Sequence, residues 1–119
     1  MRTILLVDDS PVARHVLSRR LAELGFSVHE AESAAAARVA DAGGLFCAIM
    51  DLELDDGDGA DLAATLLRER ASLPVAFFTA GASPQLLDRA RAQGPVFDKP
   101  NVDGVVAWAL QAGQPPPTK

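Results

Sequence analysis

The sequence predicts an α/β domain with three layers (α-β-α), in which a doubly wound, five-stranded parallel sheet lies between helices. Apolar runs of strand length alternate along the chain with segments of helical periodicity. The run 45–50 is apolar at every position, which is typical of a strand that helices cover on both faces. Right-handed crossovers between such strands place helices on both sides of one sheet.

The first strand covers residues 4–7 and ends at an aspartate pair. The dipeptide Ser10-Pro11 then starts a helix, because serine caps helix N-termini and proline is tolerated in the first turn. Gly25 ends this helix, and an alternating, more exposed strand follows over residues 26–31. The apolar positions at helical spacing predict the buried face of the helix: Val12, Val16, Leu17, Leu21 and Leu24.

Ser33 caps an alanine-rich helix that is predicted to reach about Ala42, where two glycines break it. The central strand then runs to Asp51. After an acidic loop, the next helix opens at Asp58 or Gly59. This helix is predicted to bury three leucines: Leu62, Leu66 and Leu67.

The second half of the chain continues the alternation with two strands, at residues 75–79 and 96–98. Between them, Ser83-Pro84 starts a short helix with the same capping signature. Asn101 caps a last helix that ends near Gly113. This helix is predicted to bury Val105, Val106 and Leu110.

Length and composition limit the possible functions. The 119 residues suffice for one domain with its own core, which we assign to residues 1–113, and the proline-rich residues 114–119 are expected to be a disordered tail. A net charge of −5 argues against direct binding of nucleic acid or of an anionic membrane. No apolar run reaches the roughly 18 residues of a membrane span, and no signal peptide is evident, so we expect a cytoplasmic protein. The single cysteine, Cys47, is expected in the core.

Four of the predicted strands end on residues that can perform chemistry. Because the carboxyl ends of parallel strands meet at one edge of a sheet, we expect these residues to lie together. They are Asp8 and Asp9 after the first strand, Asp51 after the third, Thr79 at the end of the fourth and Lys99 after the fifth.

This set predicts a site for a metal ion and a phosphoryl group. Three carboxylates repel one another, and Mg²⁺ relieves the repulsion while keeping positions for phosphate oxygens, so Asp8 and Asp9 are predicted ligands together with Asp51. The backbone carbonyl of Glu53 is a further candidate ligand. The hydroxyl of Thr79 and the ammonium group of Lys99 would bind a phosphoryl oxygen. Asp51 is then the nucleophile that becomes an aspartyl phosphate.

The ordered set Asp8-Asp9, Asp51, Thr79-Ala80 and Lys99-Pro100 resembles the receiver domain of two-component response regulators. The resemblance extends over about residues 3–112. It implies the flavodoxin-like strand order 2-1-3-4-5 and Mg²⁺-dependent phosphotransfer onto Asp51 from a histidine kinase or a histidine phosphotransfer protein. It also implies slow autocatalytic loss of the phosphoryl group, so that the protein is a signalling phosphoacceptor and not an enzyme.

We expect the output to pass to a downstream protein partner, through a homodimer face, or by onward phosphotransfer, since no DNA-binding or catalytic segment follows residue 112. The chain departs from the family pattern at two positions. Asp55 stands where a proline is usual, and Val96 stands where an aromatic residue is common. Phe97 is expected on the opposite face of its strand. Switching is therefore expected to work by reordering of the loop 80–82 and movement of the short helix after it.

Two other functions stay open at this point. A small Mg²⁺-dependent phosphatase would also use an aspartate nucleophile, but it would need a second aspartate two residues later, where this chain has Glu53. A degenerate receiver-like module would keep the fold and bind partners without phosphorylation. His15 and His29 lack partners at metal-ligand spacing, so we predict no metal site for them. Trp108 is expected to be part of the core or of an interface.

Overall fold

The computed structural model describes residues 2–112, and the strands of the main sheet are all parallel. In chain order the seven strands of this part of the chain are β1 (Thr3–Val7), β2 (Ser27–Ala31), β3 (Cys47–Met50), β4 (Glu53–Leu54), β5 (Gly57–Asp58), β6 (Val75–Thr79) and β7 (Val96–Asp98). The main sheet has the order β2-β1-β3-β6-β7, while β4 and β5 form a separate antiparallel hairpin. The predicted doubly wound sheet with order 2-1-3-4-5 is confirmed, β6 and β7 being its fourth and fifth strands.

Five α-helices alternate with the strands of the main sheet: α1 (Pro11–Glu23), α2 (Ala34–Arg38), α3 (Gly59–Glu69), α4 (Pro84–Arg91) and α5 (Val102–Gln111). Within residues 2–112, no helix is both long and apolar enough to cross a membrane. The predicted proline-rich tail, residues 114–119, lies outside the described residues.

The sheet separates two apolar cores, as the three-layer prediction requires. Leu5 and Val7 of β1 face the core that is covered by α2, α3 and α4, while Ile4 and Leu6 face the core covered by α1 and α5. Val96 packs against the first core and Phe97 against the second, so their predicted placement on opposite faces of β7 is confirmed.

The predicted buried face of α1 is correct only for Leu17 and Leu21. Val12 and Val16 are 75% and 46% exposed, and Leu24, which caps the end of the helix, is also exposed. Consecutive residues are about 100° apart around a helix, so Val12 and Val16 lie on a different stripe from Leu17 and Leu21. Only the second stripe faces the sheet.

Three further predictions about helices are wrong in detail. The alanine-rich helix α2 ends at Arg38 and does not reach Ala42, because Asp41 accepts a hydrogen bond from the backbone of Gly43 (3.1 Å) and caps a separate 3₁₀ turn at Ala42–Gly44. In α5, Ala109 is buried together with Val105 and Val106, whereas Leu110 is 39% exposed. Leu67 is only half-buried.

The turn between α4 and β7 depends on close contact between two backbones. A Cβ atom on Gly94 would lie 2.0 Å from the carbonyl oxygen of Val75. Gly94→Ala should therefore lower the free energy of unfolding by about 1–3 kcal/mol, as overpacking does elsewhere. Gly44→Ala is the matched control, since its new Cβ would lie 3.8 Å from Asp41 Oδ2, an ordinary contact. Urea denaturation measures both, and equal stability of the two variants would contradict this packing.

Cys47 is fully buried, and this burial raises the pKa of its thiol to about 12. We expect the thiol of the folded protein to resist an alkylating reagent at pH 8 and to react once urea unfolds the chain. Intact-mass measurement follows the reaction. Ala107→Cys, which places a second thiol on an exposed position of α5, is the positive control and should react in the folded state. Rapid modification of Cys47 without denaturant would contradict the core placement.

Candidate functional site

Two buried carboxylates lie at neighbouring strand ends. Asp8 follows β1 and Asp51 follows β3, the strand beside it. The backbone N–H of Asp51 donates to the carbonyl of Val7 (2.9 Å), and that of Asp8 donates to the carbonyl of Ala31 (3.1 Å), so both aspartates continue the hydrogen bonding of the sheet. Their side chains are therefore fixed by the most regular part of the fold.

Asp9, which is half-buried, completes a cluster of three carboxylates with Asp8 and Asp51. One carboxylate oxygen of each residue lies within 4.8 Å of one of each of the others. Carboxylate oxygens are the ligands that Mg²⁺ takes in proteins, usually from one or two side chains, with water or phosphate in its remaining positions. The donor set thus fits Mg²⁺ in chemical type and in spacing.

Lys99 holds the two buried carboxylates together. Its Nζ lies 2.9 Å from Asp51 Oδ2 and 3.1 Å from Asp8 Oδ2. Its backbone N–H donates to the carbonyl of Thr79 (3.0 Å), which positions the residue beside the end of β6. The structure therefore brings Lys99 to the same edge as the aspartates.

Burial and ion pairing shift the pKa values of the charged groups in the site in opposite directions. Burial raises the pKa of Asp8, although the backbone N–H of Ser10 (2.9 Å) and Lys99 lower it in part. Burial lowers the pKa of Lys99, but the hydrogen bonds and charges of Asp51 and Asp8 outweigh it, and the pKa of Lys99 is raised. Lys99 is thus a firmly protonated cation between the two carboxylates.

Thr79 is buried at the end of β6, and its hydroxyl contacts the loop that follows. The hydroxyl donates to the carbonyl of Gly81 (3.2 Å), and the hydroxyl oxygen accepts from the backbone N–H of Gly81 (3.4 Å). Gly81 has a φ of +155°, a conformation that favours glycine. The Thr79 hydroxyl is therefore hydrogen-bonded to the loop 80–82 and is not directed at the aspartates.

Glu53 lies in β4 with its side chain exposed. Its backbone N–H donates to Asp51 Oδ1 (3.3 Å), which places the Glu53 backbone beside the cluster. The role of its carbonyl oxygen as a metal ligand stays a prediction. His15 and His29 are exposed and lie outside the cluster of Asp8, Asp9 and Asp51.

Three further residues lie against the site, and for two of them, Arg14 and Asp55, the sequence did not predict this. Arg14 donates to the carbonyl of Asp8 (2.6 Å), and Asp55 is close enough to Asp9 that the negative charge of Asp9 raises the pKa of the Asp55 carboxyl. A Cβ atom on Gly59 would lie 2.2 Å from the carbonyl oxygen of Asp51, so only glycine allows α3 to start there. No local pattern marks Arg14 or Asp55, whereas the Asp-Gly entry to α3 was visible in the sequence.

Comparison with known proteins gives relatives of one kind. Two curated relatives, the transcriptional regulatory proteins GlrR of Escherichia coli K12 and QseF of Escherichia coli O157:H7, are each 38% identical over 81 residues. The matched region is 67% of this chain but 18% of each relative, so the chain spans only a small part of their length.

Solved structures share the fold along almost the whole chain. The non-phosphorylated receiver domain of HemR from Leptospira biflexa has a TM-score of 0.83 at 27% identity, with all of both chains covered. The response regulator TrrA of Thermotoga maritima, solved in complex with Mg²⁺ and BeF, has a TM-score of 0.82 at 24% identity, with 93% of this chain and 98% of that one covered. At that identity the second likeness shows the fold alone.

A sequence profile of the response regulator receiver domain matches residues 4–97, from within β1 into β7. This span includes the three clustered aspartates and Thr79. The chain belongs to the response regulator receiver domain family.

Proposed function

We propose that Asp51 is the residue that accepts the phosphoryl group in this phosphoacceptor receiver domain. The observation that carries the proposal is the placement of one protonated lysine, Lys99, on two buried carboxylates beside a third. Asp51 is the member of the cluster that lies at the end of the central strand and contacts both Lys99 and the hairpin β4–β5. Asp8 and Asp9, on the neighbouring strand end, are then the groups that hold the metal ion with it.

The reaction is transfer of a phosphoryl group between two nucleophiles. A carboxylate oxygen of Asp51 attacks phosphorus and forms a new O–P bond. When the donor is a phosphohistidine, the N–P bond breaks and its electron pair stays on the imidazole nitrogen, which then takes a proton. The donor is a histidine kinase or a histidine phosphotransfer protein, the class of partner that two-component signalling implies.

Charge control at the site comes from the chain and from Mg²⁺. Mg²⁺ would be held by Asp8, Asp9 and Asp51, with the Glu53 carbonyl as a further ligand, and would neutralise charge on the phosphoryl oxygens. Lys99 supplies a second positive charge, since its ammonium group already lies against Asp51. Slow hydrolysis of the aspartyl phosphate would return the domain to its starting state.

Switching follows from competition for the Thr79 hydroxyl. At present this hydroxyl donates to the carbonyl of Gly81 (3.2 Å). A phosphoryl oxygen on Asp51 is a stronger, charged acceptor, so the hydroxyl would turn toward it and release the loop 80–82. A downstream protein partner or a second copy of the chain would recognise the changed loop and α4.

Asp51→Asn should abolish phosphorylation by acetyl phosphate. With Mg²⁺ present, the unsubstituted protein should gain the mass of one phosphoryl group, with acetate as the leaving group, because Asp51 is the carboxylate at the end of the central strand that contacts Lys99 (2.9 Å). Intact-mass spectrometry measures the gain. Asp103→Asn, which removes an exposed carboxylate of α5, should behave as the unsubstituted protein does. No mass gain in the unsubstituted protein would instead favour the degenerate module, and a gain in Asp51→Asn would place the acceptor elsewhere.

Asp9→Asn should weaken Mg²⁺ binding by about tenfold or more, because it removes one of three clustered carboxylates. Titration calorimetry in the absence of any phosphodonor measures the dissociation constant. Asp98→Asn is the matched control, since Asp98 is an exposed carboxylate next to Lys99 but outside the cluster. Equal affinities in the two variants would contradict the assignment of Asp9 as a ligand.

A further inference from the structure

Helix α4 is joined to the first turn of α3 by polar contacts. The guanidinium group of Arg89 spans two carboxylates, with Nη2 2.6 Å from Asp61 Oδ1 and Nη1 3.6 Å from Asp58 Oδ2. One turn later, the side-chain amide of Gln93 donates to the carbonyl of Ala60 (3.1 Å). The C-terminal part of α4 and the turn that follows it therefore contact the same turn of α3.

That turn of α3 is itself pressed against the proposed acceptor. The backbone of Gly59 lies so close to the carbonyl of Asp51 that a Cβ atom would come within 2.2 Å of it. The N–H of Gly59 donates to the carbonyl of Leu52 (2.9 Å), and Asp58 caps the helix by accepting from the N–H of Asp61 (2.7 Å). A displacement of the backbone at Asp51 must therefore displace the N-terminus of α3.

Apolar packing holds α4 only lightly. Ala90 is its one buried residue, while Leu86 and Leu87 are half-buried against the core. The helix also follows the loop 80–82, which contains Gly81 at positive φ. Elements with few buried contacts are those that move at low free-energy cost. The polar contacts with α3 therefore contribute more to fixing the position of α4 than they would for a well-buried helix.

From this arrangement we infer that Arg89, assisted by Gln93, is a positioning residue that couples the state of Asp51 to the position of α4. The inference rests on the proposed function, since it requires a change at Asp51. An isolated surface ion pair contributes little, but here one planar guanidinium group engages two carboxylates of a capped helix end, and an amide fixes the same turn. The coupling runs through α3 and needs no aromatic residue at Val96.

The test follows backbone amide signals by NMR on addition of Mg²⁺ and beryllofluoride, a phosphoryl analogue. In the unsubstituted protein, signals of Thr79 and Lys99 should shift, and so should those of Pro84–Arg91 that carry an amide proton. In Arg89→Gln the shifts at Thr79 and Lys99 should persist, while those in α4 fall by more than half. Arg91→Gln is the matched control, because the ion pair of Arg91 within residues 2–112 is with Asp88 of its own helix, at 3.9 Å.

A second variant, Asp61→Asn, removes the partner of Arg89 from the α3 side and should give the same selective loss. Thermal unfolding of each variant verifies that it is folded. Equal α4 shifts in Arg89→Gln and Arg91→Gln would overturn the inference, as would shifts at Thr79 with none in α4 of the unsubstituted protein. No shift at either Thr79 or Lys99 in the unsubstituted protein would overturn the proposed function, and the coupling with it.

Discussion

The site depends on two like charges that the sheet forces together at the ends of adjacent strands. Asp8 and Asp51 are both buried, and their carboxylates share the ammonium group of Lys99 at 3.1 and 2.9 Å. Burying charges is costly unless they are paired, and the raised pKa of Asp8 shows that the cost is only partly offset. Three carboxylates around one ammonium group leave an excess of acidic groups, which favours the approach of a further cation.

The topology explains how residues so far apart in the chain meet. In the order β2-β1-β3-β6-β7, β1 and β3 are neighbours. Strand β7 is the fifth parallel strand along the chain and lies at the edge of the sheet, beside β6. Lys99 leaves β7 with its backbone bonded to the carbonyl of Thr79 and extends its long side chain back across the edge. The sheet topology therefore brings together the same residues that the family resemblance identified.

In the acidic loop after Asp51, each aspartate makes a different set of contacts. Asp55 lies against Asp9, and Asp58 caps α3. Asp56 accepts hydrogen bonds from the N–H groups of Ala34 and Ala35 (2.9 and 3.0 Å), which lower the pKa of its carboxyl and join the hairpin to α2. The segment thus contacts the carboxylate cluster and two helices at once. Through these contacts, a conformational change at Asp51 would be transmitted to elements outside the site.

The linear pattern alone predicts the five strands of the main sheet, the helix starts and the residues at the strand ends, but not the short hairpin β4–β5. Capping residues such as Ser10 and Ser83, and the unbroken apolar runs, act through contacts within a few residues, so they are visible in the linear pattern. Packing in the folded chain settles which stripe of α1 faces the sheet, that Arg14 donates to the carbonyl of Asp8, and that Arg89 joins α4 to α3. These contacts connect residues that no local spacing relates, and they form only once the sheet has set the helices side by side.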